Sequence, residues 1–507
     1  MDIISQYVAL DGSRLEGRLE NPTQRQEELQ AMHRAILQNA QGLTNAISSD
    51  TNRGVNNSLL EIIVVLRTIS QLFGQQSLSE TLKREREIEK SAEDLDRYSA
   101  LGNVLILADP FLPLASSIIP LACSIAAGNS TMVLLPAATP TFSKELLEVF
   151  KQSSLDAEAT AIVFPESKED AVNILATLKH SRFNGIVPQL EEHLTIFRES
   201  EFLLATPTLR VLSSVPEASI VVVTRHAQVR NATEEILQAQ SVQPTLGPSS
   251  TTPIFLIDEF VLREFETETL RVLSMRQKSN SLDGSQQGLK KSNELSPDQV
   301  LIFESHAGRV LHLPGGVTML IGDPNWKTWE YFPSLEHLFI SPSRLLYVMP
   351  TTSLECTITL AGQLNPEGFT NLFLYGNPSE SRYLSSFITA AATYINCIPL
   401  QSIFLPANHF PVTAVPGSLY STARPVATGT PAAAVIPSHI LAFPPVVQKN
   451  NLLAILTAEK LNPPRQRKGQ NLGFFEQGAI VGLSHVLLTT SLTCMGLWLA
   501  TKILLRK

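Results

Sequence analysis

The stretch of residues 102–140 constrains the fold more than any other part of the chain; it reads GNVLILADPFLPLASSIIPLACSIAAGNSTMVLLPAATP. It predicts a strand over residues 104–108, a helix of small and apolar residues over 113–127, and a second strand over 131–135. Both predicted strands are apolar without alternation, which is typical of a sheet that helices cover on both faces. Strand, helix and strand in immediate succession form one right-handed crossover, so the stretch predicts a doubly wound α/β domain with a parallel sheet.

Predicted strands and helices continue to alternate after this stretch, as a parallel sheet requires. Buried strands are predicted over residues 159–164 and 219–224. Residues 276–298 are polar and lack periodicity, so we predict an exposed insertion there. The predicted divisions are a helical part over 1–100, a Rossmann-like domain over 101–225, a second α/β region over 226–400, a Pro/Ala-rich extended region with a basic linker over 401–477, and a C-terminal helix over 478–501.

Composition narrows the class of partner. Of the 507 residues 44% are hydrophobic and 17% are charged, enough for a sizeable core, and the net charge is −8. An acidic chain does not suit nucleic acid, which requires a basic surface. The four cysteines show no CxxC spacing and no histidine pair has ligand spacing, so we predict free thiols and no metal site. The first residues lack a basic segment followed by an apolar core, so no secretory signal is expected.

Residues 478–501 form a stretch of 24 residues without Asp, Glu, Lys or Arg. At about 1.5 Å rise per residue such a helix crosses the roughly 30 Å hydrocarbon core of a bilayer. Trp498 and Lys502 lie where interfacial anchors are found, and the basic residues 463–471 precede the stretch. A buried C-terminal helix is the alternative. We predict a single-pass tail anchor with the preceding domains in the cytosol; endoplasmic reticulum, peroxisome and mitochondrial outer membrane stay open.

Residues 102–140 also resemble the start of the cofactor-binding domain of aldehyde dehydrogenases, whose members typically read PWNYPL, APLIGAIAAGN and VVLKPS there. The helix and the IAAGN turn align without a gap. The resemblance extends weakly over about residues 25–410 and is nearest to the fatty aldehyde dehydrogenase branch, which carries a hydrophobic C-terminal tail. It implies an aldehyde dehydrogenase-like α/β fold: a Rossmann-type parallel sheet domain, a second α/β domain and, in this chain, a C-terminal transmembrane helix.

The family's chemistry uses a cysteine thiolate as nucleophile, an asparagine amide for the oxyanion, a glutamate that activates water, and NAD(P) as hydride acceptor. On the aligned register, the cysteine position holds Ser250, the asparagine position holds Phe111, and the glutamate position falls near Arg210. The family's cofactor contacts fall on Leu135 for the lysine, on about His337 for the glutamate, and on Asn184, Gly185 and Ile186 for the FTGS turn.

Because nearly all of these positions lack the family's functional side chains, the resemblance predicts a membrane-anchored, catalytically impaired protein without a bound cofactor. Its role would be auxiliary or scaffolding, in a lipid or secondary-metabolite pathway. One alternative is a divergent aldehyde dehydrogenase that uses NAD(P) to oxidise a hydrophobic aldehyde to the acid. Another is a serine-based hydrolase at Ser250. A homodimer and a heterodimer with an active paralogue both stay open.

Overall fold

The computed structural model describes most of the predicted α/β core. The described residues are 3–51, 53–76, 78, 83, 99–178, 181–189, 210–211, 219–242, 254–282, 309–314, 317–322, 345–366, 368–399, 404, 421–422, 449–458, 461 and 474–504.

The described helices are α1 (Ile3–Glu16), α2 (Pro22–Gln38), α3 (Ala40–Thr51), α4 (Val55–Gln75), α5 (Pro113–Ala126), α6 (Pro140–Lys151), α7 (Lys168–Leu178), α8 (Val229–Val242), α9 (Glu259–Leu282), α10 (Leu354–Leu364), α11 (Pro378–Phe387), α12 (Lys449–Ala458) and α13 (Phe474–Leu504). The described strands are β1 (Ser99–Ala100), β2 (Asn103–Leu107), β3 (Ser130–Leu134), β4 (Thr160–Val163), β5 (Gly185–Pro188), β6 (Arg210–Val211), β7 (Ile220–Val223), β8 (Ile254–Asp258), β9 (Arg309–Leu313), β10 (Val317–Ile321), β11 (Leu345–Thr351), β12 (Phe369–Tyr375), β13 (Ala390–Ile395) and β14 (Ser421–Thr422).

The first sheet has the strand order β4-β3-β2-β5-β6, and every neighbouring pair is parallel. Strands β2 and β3 with helix α5 between them form the predicted crossover, and each strand begins one residue before its predicted start. The chain runs outward from β2 to β3 and β4 and then returns to β5 on the other side of β2. The predicted doubly wound fold is therefore confirmed.

Different helices cover the two faces of this sheet. Val104 and Ile106 of β2 belong to a core that includes side chains of α2, α4 and α5. Leu105 and Leu107 belong to a second core with side chains of α1 and α7. Strand β2 is buried along its whole length, which explains why its sequence is apolar without alternation.

The second sheet has the order β13-β12-β7-β8-β11-β10-β9, in which only β9 and β10 form an antiparallel pair. Side chains of α8 and α9 pack on one face, and side chains of α10 and α11 pack on the other. Helix α9 continues to Leu282, so the first residues of the predicted insertion over 276–298 are helical; its remaining residues lie outside the described part.

Part of the region predicted as extended over 401–477 is also helical. Helix α12 lies within it, and Leu452 and Leu456 of this helix join the core around α4. The apolar run LLAIL supplies this contact, and composition averaged over the whole region concealed it. Strand β14 pairs with β1 as a small antiparallel sheet, and most of the remaining residues of the region lie outside the described part.

Two of the described helices are long and apolar enough to cross a membrane. In α4 the most apolar window has a mean hydropathy of 1.2 and is 72% buried inside the fold. In α13 the window Gly478–Gly496 has a mean hydropathy of 1.5, and none of it is buried. Helix α4 is therefore a core helix, whereas α13 is a candidate membrane span.

Candidate functional site

The carboxyl ends of the parallel strands mark the place where a ligand binds in a sheet of this kind. Strands β2 and β3 end at Leu107 and Leu134, and the chain continues there into residues 108–111 and into Leu135. Two of the sequence-predicted positions, Phe111 and Leu135, therefore lie at this edge, close to the first turn of α5.

The loop that carries Phe111 is fixed by its own hydrogen bonds. The Asp109 carboxylate accepts a hydrogen bond from the Phe111 backbone N–H at 2.8 Å. The Ser116 hydroxyl accepts from the Asp109 N–H at 2.9 Å and donates to the Asp109 carbonyl at 3.1 Å. The half-buried Phe111 ring supplies neither a donor nor an acceptor, so its side chain cannot bind an oxyanion as an amide would.

A carboxylate from α4 occupies the amino terminus of α5. Oε1 of Glu61 accepts from the backbone N–H groups of Leu114 and Ala115 at 3.0 and 2.9 Å. Its Oε2 accepts from Arg53 Nη1 at 2.5 Å, and both side chains are fully buried. Since the amino terminus of a helix attracts anions, Glu61 satisfies the donors to which a ligand's negative charge would bind.

Arg53 links this carboxylate to the Phe111 loop. Its Nη1 also donates to the Phe111 carbonyl at 3.3 Å, and its guanidinium lies 5.7 Å from the centre of the Phe404 ring. Arg53 thus holds the loop through the backbone carbonyl of Phe111, and the buried Glu61 carboxylate balances the charge of Arg53. This network has a structural role at the place where the resemblance implies an oxyanion site.

Leu135 lies in the hydrophobic core. Its side chain is 1% exposed and packs in the same core as α4 and α5, while its backbone N–H donates to the Val163 carbonyl at 2.9 Å. A lysine at this position would reach a dinucleotide through a charged, hydrogen-bonding head, and leucine has neither property. Leu135 therefore does not fit the cofactor contact of the family's lysine, and Phe111 does not fit the oxyanion contact of its asparagine.

Gln189 is a residue at this edge that sequence reasoning missed. It follows β5, is buried, and donates from Nε2 to the carbonyl of Ser116. That carbonyl needs a partner because Pro120, one turn later in α5, has no N–H to donate to it. Oε1 of Gln189 has no hydrogen-bond partner among the described residues. A proline inside a predicted helix was the available signal that a side chain must satisfy the freed carbonyl.

The structure does not bring Asn184, Gly185 and Ile186 to Phe111 and Leu135. Gly185 pairs with Val104, at the start of β2, and the Asn184 side chain accepts from the Asn103 N–H at 3.1 Å. These residues lie at the amino edge of the sheet, because β5 is parallel to β2. The assignment of the FTGS turn to these residues stays a prediction, and the residue that follows the carboxyl end of β5 is Gln189.

The remaining predicted site residues are only partly described. Arg210 lies in β6, where it pairs with Gly185, and its side chain is outside the described part. Ser250 and His337 lie outside the described residues altogether. The assignment of a nucleophile to Ser250 and of a cofactor contact to His337 thus stays a prediction. Among the described residues, no group of three or more His, Cys, Asp or Glu side chains is arranged to hold a metal ion.

A second polar group of side chains lies at the carboxyl edge of the other sheet. His226 Nδ1 is 2.6 Å from Glu380 Oε1, and the Thr224 hydroxyl donates to Glu380 Oε2 at 2.6 Å. Burial alone would raise the pKa of Glu380, but the hydrogen bonds from Thr224 and His226 outweigh it and lower the pKa. Arg225 pairs with Asp258 at 3.2 Å. These charges pair with one another and connect the loop after β7 to its neighbours.

Comparison with known proteins agrees with this fold. The model of the aldehyde dehydrogenase family matches residues 16–187. A search of curated proteins finds no match.

Solved structures of aldehyde dehydrogenases superpose on most of the chain. The substrate-bound state of Staphylococcus aureus AldH is 15% identical, with a TM-score of 0.58 over 80% of this chain and 87% of that one. KauB from Pseudomonas aeruginosa is 13% identical, with a TM-score of 0.57 over 78% and 81%. An AldC mutant from Pseudomonas syringae, in complex with NAD+ and octanal, is 12% identical, with a TM-score of 0.56 over 78% and 81%. At these identities the similarity is one of fold. The chain therefore has the fold of the aldehyde dehydrogenases, and its residues 16–187 match the sequence model of that family.

Proposed function

We propose that this protein is a membrane-anchored, catalytically impaired member of the aldehyde dehydrogenase fold, with an auxiliary or scaffolding role. The observation that carries the proposal is the burial of Leu135, which is 1% exposed in the core at the position of the family's cofactor lysine. No charged head at this position is available to bind a dinucleotide.

The neighbouring contacts support the same conclusion. Phe111 replaces the asparagine amide with an aromatic ring, and its loop is held through the backbone by Arg53. Glu61 satisfies the first N–H groups of α5. Loss of an oxyanion donor alone costs about 10²–10³ in kcat. The combined loss of this donor and of the cofactor lysine therefore favours a binding role over turnover.

The exposed helix α13 supports the membrane part of the proposal. Its length of 31 residues and its window of mean hydropathy 1.5 suit a single span. An anchored protein works on partners or molecules that concentrate at a bilayer. The P. syringae relative was crystallised with octanal, an apolar aldehyde. We therefore favour a lipid or secondary-metabolite pathway, with the folded domains on the cytosolic side.

Cofactor binding tests the proposal directly. The full chain, purified in detergent, is heated with NAD+ and with NADP+, and NAD(P)H formation from octanal is followed by absorbance. We expect no shift in unfolding temperature and no NAD(P)H. A ligand present at a hundred times its Kd would stabilise the fold by about 2.7 kcal/mol, so binding of ordinary strength would be seen. A clear shift together with NAD(P)H formation would contradict the proposal and favour a divergent dehydrogenase.

The anchor has a separate test. The full chain and a variant that ends at residue 473 are mixed with phosphatidylcholine vesicles and centrifuged through a density gradient. We expect the full chain to float with the vesicles and the shortened chain to stay in the soluble fraction. Flotation of both chains would show that another surface binds the membrane.

A further inference from the structure

The strand order of the second sheet reverses between β7 and β12. From β7 the chain continues through α8 to β8, and from β12 it continues through α11 to β13, which lies on the other side. Helices α8 and α11 pack on opposite faces of the sheet. Because β7 and β12 are parallel neighbours, the two connections diverge from one place at the carboxyl edge. In open α/β sheets ligands bind in the crevice that such a reversal leaves.

Both sides of this crevice are fixed by hydrogen bonds. The Asn396 side chain accepts from the Gly376 N–H at 2.9 Å and donates to the Gly376 carbonyl at 3.0 Å. Asn396 has a φ of 55°, the one positive φ of a non-glycine residue in the described part of the chain. A Cβ at Gly376 would collide with the Thr224 hydroxyl, so the two connections touch. Strained backbone of this kind is concentrated at sites that hold a geometry ready for a ligand.

Two basic side chains follow β7, and a buried carboxylate orients each of them. Arg225 Nε donates to Asp258 at 3.2 Å, and the arginine side chain is 42% exposed while that of the aspartate is 5% exposed. His226 Nδ1 lies 2.6 Å from Glu380, with side-chain exposures of 59% and 12%. In both pairs the acid therefore lies inside the fold, and the base faces outward.

Each base keeps a donor for a ligand. Arg225 Nη1 and His226 Nε2 have no hydrogen-bond partner among the described residues. Since Glu380 occupies Nδ1, a protonated imidazole at this position offers its Nε2–H outward. Guanidinium and imidazolium groups bind phosphate and carboxylate oxygens through charge-assisted hydrogen bonds. The outward-facing donors of this edge therefore suit an anionic group.

Phe260 adds an apolar surface at the same edge. It is the second residue of α9, directly after β8, and it is 71% exposed. The guanidinium of Arg225 lies 5.0 Å from the centre of its ring. The exposed part of the ring can pack against an aromatic group of a ligand, since aromatic pairs attract one another in offset or edge-to-face arrangements. The edge thus combines donors for an anion with a surface for a ring.

We propose that the reversal point of the second sheet binds a small molecule in which a phosphate or carboxylate group is attached to an aromatic ring. Arg225 and His226 bind the anionic group, and Phe260 packs against the ring. Asp258 and Glu380 are positioning residues that orient the two bases. This site is separate from the edge of the first sheet that carries Phe111 and Leu135, so the proposal does not depend on the membrane anchor or on the loss of cofactor contacts.

Calorimetric titration of the full chain in detergent micelles tests the proposal, with phenyl phosphate, benzoate and inorganic phosphate as probes. We expect phenyl phosphate or benzoate to bind at a single site, and the tighter of the two identifies the anionic group. Inorganic phosphate should bind more weakly than phenyl phosphate, because it has no ring to contact Phe260. Failure of both ring-bearing anions to bind would overturn the proposal.

Substitutions then locate the binding. His226→Asn removes Nε2 but keeps an amide near Nδ1 that can donate to Glu380, so the crevice stays closed on that side. This variant and Arg225→Gln should each raise the Kd of the tighter probe about tenfold. Arg230→Gln removes a guanidinium of α8 that is 68% exposed and pairs with Glu234, and it should leave the Kd unchanged. Equal affinity of the native chain and His226→Asn would overturn the assignment.

Phe260→Ala separates the ring contact from the anion contact. It should weaken phenyl phosphate about tenfold and leave inorganic phosphate unchanged. An equal loss for both probes would overturn the role of Phe260. The urea midpoint of each variant, measured in parallel, establishes that the chain is folded under the conditions of the titration.

Discussion

Helices α4 and α13 are the two longest apolar helices whose burial the structure describes, and their surroundings are opposite. Their apolar windows differ little in mean hydropathy, 1.2 against 1.5, yet α4 is mostly buried and α13 is fully exposed. Each also carries an ionisable side chain within its apolar stretch that apolar surroundings would penalise. Glu61 of α4 finds Arg53 and the amino terminus of α5 within the chain, whereas His485 of α13 finds no described partner. Mean hydropathy alone therefore does not separate the two helices. The contacts of Glu61 with Arg53 and α5 distinguish α4 as a core helix.

The largest expected change in the free energy of unfolding follows substitution of Glu61, in the buried helix α4. Glu61→Ala leaves the Arg53 charge buried without a carboxylate and removes the cap from α5. We expect a loss of about 3–5 kcal/mol in the free energy of unfolding, measured by urea denaturation of the full chain in detergent micelles.

A double variant, Arg53→Met with Glu61→Leu, is the control for that measurement. Because it removes both charges together, it should lose less stability than Glu61→Ala alone. If Glu61→Ala costs less than about 1 kcal/mol, the carboxylate is not the partner that fixes α4 in the core.

Truncation of one apolar side chain on each helix compares packing inside and outside the fold. Ile62 of α4 is fully buried, and Ile62→Ala should cost about 2–5 kcal/mol because it leaves a cavity. Leu487 of α13 is 65% exposed, and Leu487→Ala should change the free energy of unfolding of the folded domains by less than about 0.5 kcal/mol, measured in urea. Comparable losses from the two variants would mean that α13 packs on the folded domains in solution.

A further effect concerns pH, and we expect it for the buried core around α4 and not for α13. Burial raises the pKa of Glu28 in α2 to about 7, although its carboxylate accepts hydrogen bonds from the Asp156 N–H and from Gln24. The folded state therefore binds a proton that the unfolded state releases, and stability falls as pH rises from about 4.5 to about 7.

Glu28→Gln tests this titration. It should remove a pH-dependent loss on the order of 2–3 kcal/mol, seen as a flatter plot of the urea midpoint between pH 5 and 7.5. Removal of α13 should leave that plot unchanged. An unaltered slope in Glu28→Gln would assign the pH dependence to another group.

The sequence predicted the bounds of β2 and β3 to within one residue. Burial on both faces explains why. Strands β2 and β3 are covered on both faces, so their apolar runs are unbroken, and the glycine at 128 ends the connecting segment with a positive φ of 91° that favours glycine. The burial of Leu135 was not apparent from the alignment, which showed only that a lysine was missing.

Contacts between distant segments could not be predicted in the same way. Nothing in the sequence around Glu61 indicates that its carboxylate reaches residues 114 and 115, because that contact depends on how α4 packs against α5. The position of residues 184–186 relative to β2 could not be predicted for a different reason. A phenylalanine and a glycine close together suit either end of a short strand, and only the pairing of Gly185 with Val104 shows that they lie at the amino end.

The packing around Leu135 makes the absence of a cofactor lysine hard to reverse. The substitution Leu135→Lys would place an ammonium group among side chains that exclude water, and the folded protein would lose stability before any nucleotide could compensate. A lysine could therefore be accommodated at this position only together with further substitutions that open the core around it. The tight packing of the hydrophobic core thus constrains which side chain residue 135 can carry.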